Sequence, residues 1–291
     1  MAGSRRIRVA IIGGGLAGAA LANALFQIQH LDIEVYESAP EFSERGAAVG
    51  LTSTAQKSLQ RIIPSASETL GKAGAVPMNS TRLVIGSGPE AGAVIFDLGN
   101  RGDPGLVVHR ASLLRELLAP LPEEALRTSK KLTAITPNDA GVQVVFEDGT
   151  TGQFDAVIGA DGIFGNVRQY VLGDAAAAEA SAASPAGFWD CRNLVPYEKA
   201  KSVLGDEYFE KDRQFGWVGD KAFIMHDILE NRKMVQCVIS AIETDPPKDR
   251  KRRLTREGLL ETLGSWLDGP IASGMIDVRM LIGVTLLAND C

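Results

Sequence analysis

Gly13, Gly15 and Gly18, in the run Gly13-Gly14-Gly15-Leu16-Ala17-Gly18, are residues without side chains at a spacing that could cradle a phosphate. Glu37 follows 24 residues after Gly13 and is a carboxylate that could accept the hydroxyl hydrogens of a ribose. Each glycine has a physical job: Gly13 permits a tight turn, Gly15 lets the backbone approach a pyrophosphate, and Gly18 lets a helix pack close to a strand. A helix starting here offers free N–H groups and partial positive charge to an anion. An acid rather than a base at position 37 disfavours a 2′-phosphate, which points to FAD or an NAD-like dinucleotide. The glycines do not separate these two, and a lone G-x-G-x-x-G often marks only a turn.

The elements around these residues must therefore be a strand, a helix and a second strand. Residues 8–12 hold a short apolar run with β-branched residues, the composition of a strand buried on both faces. The spacing predicts a helix over 16–29, with Leu16, Ala20, Leu21, Ala24, Leu25 and Ile28 on one face. A strand over 32–36 ends on Glu37. Beyond it, residues 38–49 form a loop, 53–63 a helix, 71–79 another loop, and 81–85 with 93–98 a hairpin. Val107-Val108-His109-Arg110 leads into a helix over 111–119 with Leu113, Leu114, Leu117 and Leu118 on its apolar side, so Arg110 sits where that helix begins.

Residues 132–136, 142–146 and 153–158 read as three strands, the last two joined through Asp148-Gly149. The third runs into Gly159-Ala160-Asp161-Gly162 and then a helix through Val167-Arg168. This is either a second nucleotide-facing loop or a helix start capped by Asp161. Residues 173–186 are alanine-rich and of low complexity. From 188 to 242 short alternations (188–195, 222–228, 235–239) indicate a more antiparallel sheet, and 255–267 an amphipathic helix with Trp266 in the core.

The 291 residues suffice for one large or two modest domains with a substantial core. Hydrophobic content of 45%, charged content of 23% and a net charge of −6 argue against electrostatic binding of nucleic acid or anionic membrane. Cys191, Cys237 and Cys291 are odd in number and lack C-x-x-C spacing, which fits a reducing, cytoplasmic setting rather than a disulfide scaffold or a zinc site. His30, His109 and His226 are scattered, so no metal cluster is expected. No run approaches the ~18 apolar residues of a membrane span.

Taken together, Gly13–Gly18 with Glu37, Arg110 in VVHRASLLREL and GADGIFGNVR at 159–168 resemble the single-component FAD-dependent aromatic hydroxylases. The segment GFWDCRNLVP…FGWVGDKAFIMHD is similar to their fungal, salicylate-hydroxylase-like branch. The resemblance implies an α/β fold, a Rossmann-like FAD-binding domain with an inserted β-sheet substrate domain. It divides the chain into 1–173 (FAD-binding), 174–187 (linker) and 188–291 (substrate domain and the start of a returning FAD-binding segment). It implies hydroxylation of an aromatic or polyketide-like small molecule with NAD(P)H and O2, in fungal secondary metabolism. By resemblance Glu37, Gly50 and Arg110 contact FAD, and Asp161-Gly162 touches FAD and the nicotinamide nucleotide. Arg192 matches a position facing the substrate, with an edge-strand salt bridge as its alternative. His226 stands where relatives carry a tyrosine in a Tyr-Pro pair, and is either catalytic or a satisfied core histidine. The family continues into a Gly-Asp motif not found before Cys291, so a C-terminally truncated chain is expected. A non-catalytic nucleotide-binding remnant and a plain NAD-dependent dehydrogenase are the other function classes, and Arg110 with Asp161-Gly162 argues against the latter.

Overall fold

The computed structural model describes residues 5–43, 48–99, 104–173, 184–247, 252–266, 274–277 and 287–288. The chain opens with β1 (Ile7–Ile12), α1 (Leu16–Leu25) and β2 (Leu31–Tyr36). Then come β3 (Ala48–Leu51), α2 (Ser53–Ile62), α3 (Ala66–Lys72), β4 (Val76–Met78), β5 (Ser80–Ile85) and β6 (Val94–Gly99). β7 (Gly105–His109) runs directly into α4 (Arg110–Leu118). β8 (Leu126–Arg127), β9 (Leu132–Asn138), β10 (Gly141–Phe146), β11 (Thr151–Phe154) and β12 (Ala156–Gly159) lead to α5 (Asn166–Leu172). The remainder comprises β13 (Phe188–Pro196), α6 (Tyr197–Leu204), β14 (Gln214–Gly219), β15 (Ala222–Leu229), β16 (Met234–Ile242), β17 (Arg252–Arg253) and α7 (Arg256–Thr262).

The chain divides into two compact units, each discontinuous in sequence. The first comprises Met1–Glu44, Ser58–Thr69 and Leu113–Ser184, the second Arg45–Lys57, Leu70–Ser112 and Pro185–Cys291. The sequence division at 173 and 188 therefore differs from the observed one in a definite respect. The 81–85/93–98 hairpin forms as expected, but β5 lies parallel to β14 and extends the sheet of the second unit. That neighbour is over a hundred residues away, so local pattern carries no trace of it. Of the expected 174–187 linker, residues 174–183 lie outside the described residues.

In the first unit β12-β1-β2-β8 form a parallel sheet. β1 is central, and its side chains are buried on both faces, as its apolar run requires. Val9 and Ile11 pack with Ala22, Ile33 and Val35 on one side. Ala10 and Ile12 pack on the other with Tyr36, Phe146 and Phe154, where the β11-β10-β9 sheet covers them. Two expectations change here. The helix is shorter than 16–29, and its buried residues are Gly18, Ala19, Ala22 and Asn23 rather than the face of larger residues. Small residues are what a helix pressed close to a sheet can bury. The strand expected over 153–158 is two strands in two sheets, broken at Asp155. The backbone N–H of Asp155 donates to the Arg8 carbonyl, and its carboxylate accepts the Arg8 N–H at 2.8 Å, which turns the chain from β11 into β12.

The second unit is built on a six-stranded sheet, β13-β16-β15-β14-β5-β6, antiparallel except for the β14–β5 pair. A small antiparallel sheet, β3-β7-β4, belongs to the same unit, so residues 71–79, expected as a loop, hold the end of α3 and β4 instead. The core contains Trp189, Trp217, Ile224, Ile228, Leu259, Leu263 and Trp266. α7 begins where Thr255 caps it, its hydroxyl accepting the Gly258 N–H at 3.1 Å.

Candidate functional site

Gly13 stands at the end of β1 with a φ of 109°, a conformation that favours glycine, and a Cβ there would lie 2.2 Å from the Ala160 carbonyl oxygen. At Gly18 a Cβ would meet the Gly13 carbonyl oxygen at 1.9 Å. The loop is thus squeezed between α1 and the start of the Asp161-Gly162 loop, and only glycines fit. Gly15 is the N-cap of α1, where no side chain caps the helix and no acid stands in the first turn. An uncapped helix start reached through glycines is an anion site.

Glu37 follows β2 directly and turns its carboxylate toward this loop. Oε2 accepts the Gly14 N–H at 2.9 Å, and Oε1 accepts the Ala39 N–H at 2.8 Å and the Ser38 hydroxyl at 3.0 Å. The carboxylate is therefore fixed in orientation, with lone-pair capacity left for a ribose hydroxyl. These residues fit the phosphate and ribose of a dinucleotide.

The Asp161-Gly162 loop lies beside Gly13, with the Ala160 N–H donating to the Ile12 carbonyl at 2.7 Å. The Asp161 carboxylate turns into its own segment and accepts the Val167 N–H at 3.0 Å, as a helix cap does. Gly162 has a φ of 74°, and a Cβ there would meet no atom within 4 Å, so its backbone conformation calls for glycine. An open cleft of about 490 Å³ runs along Gly159, Ala160, Asp161, Gly162 and Arg168.

The remaining candidates belong to the second unit. Gly50 is on β3, and a Cβ there would meet nothing within 4 Å. Neither sterics nor a left-handed backbone calls for glycine at this place, which leaves room for a molecule against the strand. Arg110 is the first residue of α4. On β3 and β7, Gly50 lies opposite Val107 and Ala48 opposite His109.

Arg192 lies on β13, the edge strand, where its Nη2 donates to Asp190 Oδ2 at 2.6 Å. The Ser240 hydroxyl donates to the other oxygen of Asp190. The Arg192 Nε is buried and has no hydrogen-bond partner. The edge-strand ion pair thus exists, and one buried donor is left for a further acceptor.

His226 is not beside Arg192. Cross-strand partners share a face of a sheet. His226 pairs with Cys237 and so with Asn193, whereas Arg192 pairs with Val238 and so with Met225. The two side chains therefore lie on opposite faces. His226 is wholly buried in the core, stacked on Phe209 at 4.9 Å and beside Trp217 at 5.8 Å. Neither ring nitrogen has a hydrogen-bond partner, so the histidine is not a satisfied one. Burial pushes its pKa down to about 4.

Sequence reasoning missed Asp227, Gln236 and Glu230. Asp227 is buried, and burial pushes its pKa up to about 6 against two hydrogen bonds. Gln214 Nε2 donates to Oδ1 at 3.3 Å and Gln236 Nε2 to Oδ2 at 3.1 Å. The period-2 alternation along β15 separates Asp227 from His226 and was the available signal. Glu230 lies in the turn after β15, for which the sequence pattern had no reading.

No protein-family profile matches the chain. Among curated proteins, 6-methylsalicylate 1-monooxygenase of Aspergillus terreus is 37% identical over 243 residues, covering 76% of this chain and 51% of its own length. An FAD-dependent monooxygenase of Aspergillus niger is 30% identical over 288 residues, covering 94% of the chain and 63% of its own. The chain thus spans between half and two thirds of the length of these relatives. Among solved structures, a salicylate hydroxylase substrate complex superposes with a TM-score of 0.73 at 22% identity, covering 94% of this chain and 66% of that one. This last likeness concerns the fold.

Proposed function

Because this chain belongs by sequence to the FAD-dependent aromatic hydroxylases, we propose that it binds FAD and hydroxylates a phenolic, salicylate-like small molecule with NAD(P)H and O2. The observation that carries this reading is the Gly13–Gly18 loop at the uncapped start of α1, with Glu37 held against it. Gly13, Gly15, Gly18 and Glu37 would hold the ribose and pyrophosphate. Gly50, Arg110 and the Asp161-Gly162 loop are the further contacts implied by the resemblance. When bound, FAD supplies the activation of O2, which no amino-acid side chain provides. A reducing, cytoplasmic setting belongs to the same proposal, and Cys191 and Cys237 are both buried. Purified protein that carries FAD and oxidises NAD(P)H in the presence of salicylates supports the proposal. A folded protein that takes up no flavin overturns it.

Glu37→Ala removes charge-assisted hydrogen bonds worth about 1.5–3 kcal/mol. FAD affinity is expected to fall roughly tenfold to a hundredfold. Unchanged affinity in an isothermal titration rules out Glu37 as the ribose ligand.

Arg192 would favour the phenolate of the substrate. Ionising a phenol near neutrality needs a shift of roughly 3 units, about 4 kcal/mol. One guanidinium at ~4 Å supplies about 4 kcal/mol at an effective dielectric of 20, but only about 1 in bulk water. Asp190, on the same guanidinium at 2.6 Å, offsets part of that. Arg192→Gln is therefore expected to spare FAD binding, reduce coupled hydroxylation and move the pH optimum up, while Asp190→Asn moves it down. If neither substitution displaces the pH–rate profile, Arg192 serves only the edge-strand ion pair.

A further inference from the structure

The small sheet that carries Gly50 and leads into Arg110 is gripped at a single rung from two sides. Ala48 on β3 and His109 on β7 are directly opposed. The Ala48 N–H donates to Gln236 Oε1 at 2.7 Å. His109 Nδ1 lies 3.0 Å from Glu230 Oε1, and the Ser112 hydroxyl donates to the same oxygen at 2.8 Å. His109 and Ser112 flank Arg110 in the chain. The first turn of α4 contains no acid of its own, and the Glu230 carboxylate lies against its Ser112 hydroxyl. Gln236 cannot rotate freely to release Ala48, because its amide nitrogen is held by Asp227 at 3.1 Å.

Glu230 itself is placed at a conformational cost. Glu230, Asn231 and Arg232 have φ values of 49°, 53° and 62°, three successive non-glycine residues in the left-handed region. Such backbone persists only where its surroundings over-determine it, and it gathers at functional places. Here the surroundings are explicit. The Asn231 N–H donates to the Gly74 carbonyl at 3.1 Å, and a Cβ on Gly74 would lie 2.9 Å from the Glu230 Cα. Arg232 Nε donates to Asp212 at 2.8 Å. The turn is pinned on both sides of its carboxylate.

We propose that Glu230, seconded by Gln236, is a positioning residue that fixes the Ala48–His109 rung and so holds Gly50 and Arg110 in place for the flavin. This rests on the assignment of Gly50 and Arg110 as FAD contacts. Two readouts on the full chain separate the inference from that assignment: FAD affinity by flavin fluorescence, and backbone amide exchange without FAD. Glu230→Ala is expected to speed exchange at 107–112 at least tenfold and to weaken FAD about tenfold, the worth of one charge-assisted hydrogen bond. Glu230→Gln keeps an acceptor oxygen in place and should restore most of both. Gly74→Ala leaves the carboxylate intact but displaces the turn, so it should reproduce the Glu230→Ala pattern. Should Glu230→Ala not fold, the contrast between Glu230→Gln and Gly74→Ala decides by the same readouts. Faster exchange with FAD affinity unchanged makes Glu230 a clamp of the fold alone and overturns the inference, as does unchanged exchange. If the unsubstituted chain binds no FAD, the assignment itself fails, and the inference with it.

Discussion

Gly18→Ala is expected to weaken flavin binding about a hundredfold and to lower the unfolding midpoint. The added Cβ would lie 1.9 Å from the Gly13 carbonyl oxygen, a contact with backbone rather than with the movable end of a side chain. Relief requires α1 to withdraw from β1, which opens the packing of Ala22 against Val9 and Ile11. Overpacking of this kind costs about 1–3 kcal/mol, and a backbone clash belongs at the upper end. The flavin suffers more than the fold does. The N–H groups at the helix start are the proposed anion site, and a shift of about 1 Å in a preorganised site costs on the order of a hundredfold. Gly50→Ala is the control, since a Cβ there meets nothing within 4 Å. It should leave urea unfolding unaltered while weakening FAD. If Gly18→Ala unfolds at the parent midpoint and binds FAD normally, the close helix–strand approach is not needed.

The second expectation is a pH dependence that is hidden in the unaltered protein and exposed by either of two substitutions. His226 is held to a pKa of about 4 by burial, below the ~6.5 of an exposed imidazole. The unfolded chain therefore takes up its proton first, and stability is lost as pH falls from 6.5 through 4. Asp227 behaves oppositely. Burial raises it to about 6 from the ~3.9 of an exposed carboxyl, so the folded chain holds its proton longer. That contribution is full below 3.9 and is lost as pH rises through 6. Each shift corresponds to about 3 kcal/mol. The windows overlap, and the two slopes nearly cancel between pH 4 and 6.

Asp227→Asn should therefore leave a stability that declines toward acid, while the loss of one acceptor oxygen for the Gln214 or Gln236 amide offsets most of the gain above pH 6. His226→Phe should do the reverse, with stability rising as pH falls from 6 to 4. It also removes two buried ring nitrogens that have no partner, and so is expected to stabilise at neutral pH as well. Urea unfolding at pH 4, 5, 6 and 7 distinguishes these curves. Curves for the two variants that run parallel to the parent would show that neither group is titrated by folding. His226 is buried in the core, on the face of the sheet opposite Arg192.

The amino-acid sequence determined by itself whatever depends on neighbours close in the chain. The strand–glycine loop–helix–strand run with Glu37 at its end is such a case, because the turn, the helix start and the capping geometry all lie within about three dozen residues. The hairpin at Asp148-Gly149 is another, with Gly149 at a φ of 80°. Arg110 at the head of α4 and the core position of Trp266 follow from the same local periodicities. The tertiary structure decided the rest. The buried side of α1, the break at Asp155 and the passage of β5 into the second unit's sheet are settled by strands that approach from far along the chain. The same holds for the site. Arg192 and His226 each sit on strands that the sequence indicated, but which face each presents depends on register. A one-residue shift in pairing exchanges the two faces of a strand, and register is set by burial across the whole sheet. Asp227, Gln236 and Glu230 acquire their meaning only from partners on other elements. A buried carboxylate and a strained turn have no local signature in sequence, because burial and strain are properties of what packs around them.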